Sequence, residues 1–217
     1  MDHGSPLSAP ARRKRMIVIA GLALPAVALA AFGPLGMVLR MLAMPLHDPD
    51  WHRWVATFNG VALITVLALP PAALAAWALA RRRKAAGVPA PWRMSLAEVG
   101  IVYGTVPCAW IILLPGDENG AVVNLVPLHD LLTMDAGQII GNMLVFAALG
   151  FLVPLRFAAL ASVPRALALG AGCSALLEIL QYLLRLDRVS SVDDVLLNAA
   201  GAGLAALASR PWWRARA

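Results

Sequence analysis

The sequence predicts an all-α fold: a polytopic bundle of about six transmembrane helices with both termini in the cytoplasm. Three observations carry that expectation. The chain of 217 residues is 60% hydrophobic and 14% charged, with a mean hydropathy of +0.74, so most of its surface must meet lipid rather than water. Uncharged runs near the ~20 residues that cross a bilayer recur along it. The basic residues are divided unevenly between alternate loops, which fixes an orientation.

The runs are Met16 to Leu39, Trp54 to Ala80, Val99 to Gly116, Ala136 to Leu155, Ala166 to Leu184 and Val195 to Ser209. Before the first stand Arg12, Arg13, Lys14 and Arg15. The "ALA" at 28–30 fits a signal-peptidase site, but the run stays apolar to Leu39, beyond a usual signal-peptide core, so an uncleaved anchor is expected. Pro70 and Pro71 remove two backbone donors from the second run and should kink it. The fifth is interrupted by Glu178. The sixth is short, and a helix that reaches across ~30 Å must start near Val192, which draws Asp193 and Asp194 to the membrane boundary.

With the N-terminus inside, fourteen of the eighteen Lys and Arg fall on the cytoplasmic side, leaving Arg40, Arg53, Arg185 and Arg188 outside. Of the acids only Asp2 and Glu98 are inside. The net charge of +6 and pI near 10.3 are therefore a topology signal, and no aromatic-interleaved basic stripe supports nucleic-acid binding. Cys108 and Cys173 both lie in apolar runs and read as small fillers.

Orientation places the polar residues by depth. Asn142 lies a turn or two below the outer surface, Glu178 and Gln181 in the last third of the outward-running fifth span, and Asp193, Asp194 and Asn198 in the outer third of the sixth. Ser174, Glu178, Gln181 and Arg185 recur at i, i+4, i+7 and i+11 on one helical face, as do Asp194, Asn198 and Gly201 on the next helix. An ionisable group in lipid costs several kcal/mol unless it is paired, faces the bundle or lines a wet cavity. The expectation is an outward-facing polar pocket. Its plain alternative is interhelical glue, a closed network in which these groups satisfy one another. The excess of polarity favours the pocket, because "NAAGAGLAA" at 198–206 already supplies a small-residue packing face.

"VNLVPL" at 123–128, "IIGNMLVFAALGFLVPL" at 139–155, "SALLEILQ" at 174–181 and "DRVSSVDDVLLNAAGAGL" at 187–204 resemble, in order and spacing, segments of the VanZ-like family of membrane proteins. The resemblance covers about residues 120–207. The family's characteristic polar residues fall on Asn124, Asn142, Glu178, Gln181, Arg188, Asp194 and Asn198. This chain departs from the family at Ala148, where a proline is usual, and at Ala199, where a threonine is usual. The resemblance implies a three-helix core at 116–209, preceded by a three-span extension at 1–115 and followed by a basic tail at 210–217. It also implies a link to the lipid-tailed glycopeptide teicoplanin, to which the family's namesake gives low-level resistance.

No P-loop, dinucleotide fingerprint, zincin motif or nucleophile elbow is present, and no cofactor is expected. "HDPDWH" at 47–52 has metal-binding residue types, but a solvated loop with Trp51 and Trp54 at the interface is the simpler reading, so no metal site is expected. His129 and Asp130 read as loop residues. Three classes of function remain. The first is an enzyme or binding protein for a membrane lipid or a lipid-linked or amphiphilic envelope molecule. In it Glu178 and Asp194 are candidate acid and base, Arg185 and Arg188 anion contacts, and Asn124, Asn142, Gln181 and Asn198 binding groups. The others are a structural or partner-binding protein and a transporter; transport would want an ionisable residue in the inner half of the membrane. The expected location is the inner (plasma) membrane, in multiple passes.

Overall fold

The computed structural model describes residues 56–116 and 122–214. The run from Met16 to Leu39, the "HDPDWH" segment and both termini lie outside the described residues. The second run forms two helices, α1 (Phe58–Leu67) and α2 (Leu69–Ala85), bent by 41° where they meet at Ala68. Pro70 and Pro71 fall in the first turn of α2, where their missing N–H groups cost least, so the expected kink sits just ahead of the proline pair. Thr57 caps α1 by accepting from the Gly60 N–H at 3.2 Å.

The third run forms α3 (Pro91–Ile112), the fifth α6 (Val163–Leu184) and the sixth α7 (Val192–Arg214). α7 starts at the residue that bilayer thickness requires. α3 starts eight residues before its uncharged run, with Pro91 in its first turn, and so takes Glu98 into the helix. The fourth run is 21 residues of helix, Ala136–Arg156, broken at Phe146 into α4 (Ala136–Val145) and α5 (Ala147–Arg156). A capping box opens α4: the Asp135 carboxylate accepts from the Gln138 N–H at 2.9 Å and the Gln138 side chain accepts from the Asp135 N–H at 3.0 Å.

Among the described residues four of these elements, Pro91–Ile112, Ala136–Arg156, Val163–Leu184 and Val192–Trp213, are long and apolar enough to cross a membrane, and the bent α1–α2 pair makes a fifth if it is counted as one span. The buried core is small, built on Val145, Phe146, Leu149, Val153, Leu177 and Ala202. Leucines such as Leu176, Leu183 and Leu204 are exposed while Ser95, Ser174, Asp193 and Asn198 are buried, the reverse of a water-soluble bundle.

Helix α7 is the centre of the bundle and packs on α4, α5 and α6. Its small residues allow that. A Cβ on Gly201 would overlap the backbone of Met143 in α4, and a Cβ on Gly150 in α5 would overlap the backbone of Ala202. These are backbone-to-backbone approaches, and the small-residue face predicted for "NAAGAGLAA" is the seam that makes them. Phe146, where the fourth run breaks, lies between those two contacts.

Two three-residue strands complete the fold. β1 (Val122–Asn124) pairs in parallel with β2 (Val189–Ser191), with Asn124 opposite Ser191. Because β2 runs directly into α7, this pairing brings the loop after Asn124 over the start of α7.

Candidate functional site

The site is built at that end of the bundle. Asp193, 1% exposed, is the second residue of α7, where the partial positive charge of a helix N-terminus favours a carboxylate. It points across to the 128–131 loop. Its Oδ1 accepts from the Leu128 N–H at 2.5 Å, and its Oδ2 from the Asp130 and Leu131 N–H groups at 2.9 and 3.1 Å. Three backbone donors that no strand or helix serves are thus satisfied by one buried carboxylate.

Asp130 in turn receives the Ser191 hydroxyl on Oδ2 and the Asn124 amide on Oδ1, both at 2.5 Å. The Ser191 hydroxyl, then His129 and Asn124, hold the Asp130 carboxyl below the ordinary carboxylate range. Asn124 also accepts from the Val126 N–H at 3.0 Å, closing a tight turn on itself. Asn124 therefore serves as the pivot of the loop.

Beneath this lid lie the residues of the helices. Asp194, one residue on from Asp193 and so turned about 100° around α7, accepts a short hydrogen bond from the Asn142 amide of α4. Glu178 of α6 has Asp194 and Arg188 as its charged neighbours, and Asp194 likewise faces Arg188. The Ser190 hydroxyl donates to the Glu178 backbone carbonyl at 3.2 Å, tying β2 to α6. One turn further into the bundle the Asn198 amide donates to the Ser174 hydroxyl at 2.8 Å. Toward α3, the Gln181 amide donates to the Ile112 carbonyl at 2.7 Å and Arg188 to the Leu114 carbonyl at 3.3 Å. The Gly116 N–H donates to the Leu186 carbonyl at 2.8 Å, which closes this side.

The structure thus brings Asn142, Glu178, Gln181, Arg188, Asp194 and Asn198 to one end of one bundle, on faces turned toward each other. Arg185 stands apart. It caps α6 in the left-handed region, φ 51°, with its side chain exposed, and no hydrogen bond among the described residues joins that side chain to the cluster. Three buried oxygens in the group, Glu178 Oε2, Gln181 Oε1 and Asn198 Oδ1, accept no hydrogen bond among the described residues. No group of three or more His, Cys, Asp or Glu among the described residues could hold a metal ion.

Sequence reasoning missed two things. It set Asp194 on the face with Asn198 and Gly201 but gave Asp193 no task, since the loop that Asp193 receives has no local signal. It also left Glu98 among the inner loop residues. Glu98 lies inside α3 and is gripped from both sides, by Arg83 of α2 and by Arg156 Nε of α5 at 2.5 Å, while Arg83 also donates to the fully buried Ser95 hydroxyl at 2.7 Å. The signal that could have found it was Pro91, which as a first-turn residue moves the helix start ahead of Glu98.

The architecture defines a class, an α-helical membrane protein with a polar cluster at one end of an otherwise apolar bundle. Its family follows from comparison with known proteins. The VanZ/LLP1 family model matches residues 101–213, more than half of the chain, and the chain belongs to that family. The match begins in the middle of α3, earlier than the quoted segments, and so takes in the helix whose C-terminal carbonyls receive Gln181 and Arg188. No curated protein and no solved structure matches the chain.

Proposed function

We propose that the cluster around Glu178 and Asp194 faces the outer surface of the plasma membrane, and that it binds or modifies a lipid-linked or amphiphilic envelope molecule. The protein would lie in about six passes with both termini cytoplasmic. The observation that carries this reading is the combination of charge and incompleteness at one site. Two carboxylates stand near one arginine, and acceptor atoms of Glu178, Gln181 and Asn198 are buried without a donor. A network that served only to join helices would be closed, because an unsatisfied buried polar group costs about 1–3 kcal/mol. Paired carboxylates are also the groups that general acid and base chemistry requires. The family's association with teicoplanin fits such a site, since that antibiotic and the wall precursors it targets both carry a polar part at the end of a lipid.

A structural role is the competing reading, and a specific observation favours it for part of the cluster. Asp193, Asn124 and Asp130 are saturated by loop backbone and by each other, which is what a lid fastener requires and a ligand contact does not. Transport has less support. The acid at the other end of α3, Glu98, is held between two arginines.

The test compares abundance with phenotype. Glu178→Gln and Asp194→Asn should leave a protein inserted at normal abundance in the membrane fraction while abolishing protection against lipoglycopeptides and other envelope stresses. Normal abundance with full protection in both variants would sink the functional reading. Joint loss of abundance and protection would return the two carboxylates to a structural role.

A further inference from the structure

We infer that the loop of residues 125–132 is a membrane-interface anchor: Leu125, Val126, Leu128 and Leu132 seat among the lipids beside the bundle, where headgroups meet acyl chains, and Asp193 holds the loop at that depth. The segment reads "LVPLHDLL" and joins β1 to α4. Leu125, Val126, Leu128 and Leu132 are each more than half exposed, Leu132 at 87%. Single exposed leucines need no explanation, but four large apolar side chains so close along one short loop are a concentration that water disfavours. The acid of the segment turns the other way, since Asp130 is bound by Ser191 and Asn124 against the bundle. His129 stays exposed with its Nδ1 3.1 Å from Asp130, a polar group suited to the headgroup region.

Depth follows from α7. Arg210 lies 18 residues after Val192, about 27 Å along the axis at ~1.5 Å per residue, just under the ~30 Å of a hydrocarbon core. With Arg210 at one boundary of the bilayer, Val192 falls at the other. Asp193, the next residue, accepts from the backbone of Leu128, Asp130 and Leu131, so the loop is fastened at the boundary itself. Its backbone chemistry agrees. A chain that meets lipid must satisfy its polar groups internally, and every N–H from Val126 to Leu131 has an acceptor in the protein. Asn124 Oδ1 serves Val126, the Val126 carbonyl serves His129 at 3.4 Å, Asp193 serves the other three, and Pro127 has no N–H to serve. Leu128 is held in the left-handed region, φ 63°, which a leucine rarely adopts, and its N–H is one of the three on Asp193. On a solvated loop water would serve those donors; here one buried carboxylate does.

The experiment places the full chain, with Cys108→Ala and Cys173→Ala, in phosphatidylcholine nanodiscs. Leu125→Cys, Leu132→Cys and, as a reference in the charged loop after α2, Ala86→Cys each carry a nitrobenzoxadiazole fluorophore. Quenching by a phosphatidylcholine with a nitroxide near the carboxyl end of one acyl chain is compared with quenching by iodide in the water. The lipid nitroxide should quench the labels at 125 and 132 severalfold more than iodide does, and the order should reverse at 86. Adding Asp193→Ala should lower lipid quenching severalfold at 125 and 132 and raise iodide quenching, with Asp193→Asn, which keeps one acceptor oxygen, in between. Labels at 125 and 132 that behave like the one at 86 overturn the inference and put the loop in water. Labels shielded from both quenchers also overturn it, because protein rather than lipid would then cover the loop. Lipid quenching unchanged by both Asp193 substitutions removes Asp193 as the group that sets the depth, and the inference fails in that form.

Discussion

The two ends of α3 make opposite use of a carboxylate. At its start, Glu98 sits between Arg83 and Arg156, with one guanidinium on each oxygen and a buried serine on the first of them. Every strong partner that a carboxylate wants is present. Beyond its end, Glu178 shares a single arginine with Asp194 and keeps one oxygen without a donor. The same residue type is in one place a closed clamp joining α2, α3 and α5, and in the other an unfinished site. Buried polarity alone therefore does not distinguish function from glue in a membrane bundle; the balance of donors and acceptors around each group does.

Breaking the closed end should have the largest effect. Glu98→Ala leaves two arginines facing each other in a partly exposed pocket, so the loss should lie between the ~1 kcal/mol of a surface pair and the ~3–5 kcal/mol of a fully buried one. A marked drop in membrane-fraction abundance and in the thermal midpoint of the purified protein is expected. Removing the lid fastener comes next. Asp193→Ala strands three backbone N–H groups, and water reaching the loop should limit the loss to about 2–3 kcal/mol. Limited proteolysis should then cut the 124–132 loop while leaving the helices intact. Glu178→Gln, by contrast, should change stability by less than ~1 kcal/mol, because its open oxygen has no partner to strand.

The smallest effect is a pH dependence. Asp130 has its pKa lowered on folding by the Ser191 hydroxyl, then by His129 and Asn124. A depressed carboxylate contributes stability that is fully present above its unfolded value, about 3.9, and is lost as pH falls through its lower folded value. The thermal midpoint should therefore show no pH dependence from Asp130 between pH 7 and about 5, where its contribution is full, and a decline below about 4 that Asp130→Asn reduces.

Much of this was legible in the sequence because lipid imposes a strong constraint on it. The helix positions followed from apolar run length, the α1–α2 bend from Pro70 and Pro71, and the start of α7 at Val192 from the thickness that a short final run must cover. The convergence of Glu178, Gln181, Asp194 and Asn198 followed from helical spacing once orientation was assumed. The remainder depended on contacts that have no local signal. The break at Phe146 occurs without a proline or glycine beside it, where α7 approaches both flanking turns. A three-residue parallel pair such as β1–β2 is too short to produce a pattern. Helical spacing put Asp194 with Asn198 and Gly201, but the task of Asp193, one helical step away, appears only with the loop that it receives. Arg185 shared the periodicity of Glu178 and Gln181, but it fell at the left-handed cap where α6 ends, and the face does not continue past it.

The central claim is that the carboxylate at one end of α3 is structural while the one at the other end is held open for a ligand. Its most direct test sets Glu98→Gln beside Glu178→Gln, each an isosteric loss of one charge, and compares their thermal midpoints in the same detergent. The account predicts a midpoint lowered by several degrees for Glu98→Gln and one indistinguishable from wild type, or slightly raised, for Glu178→Gln. Equal and substantial losses in the two variants would contradict it, because Glu178 would then be as much a part of the clamp as Glu98.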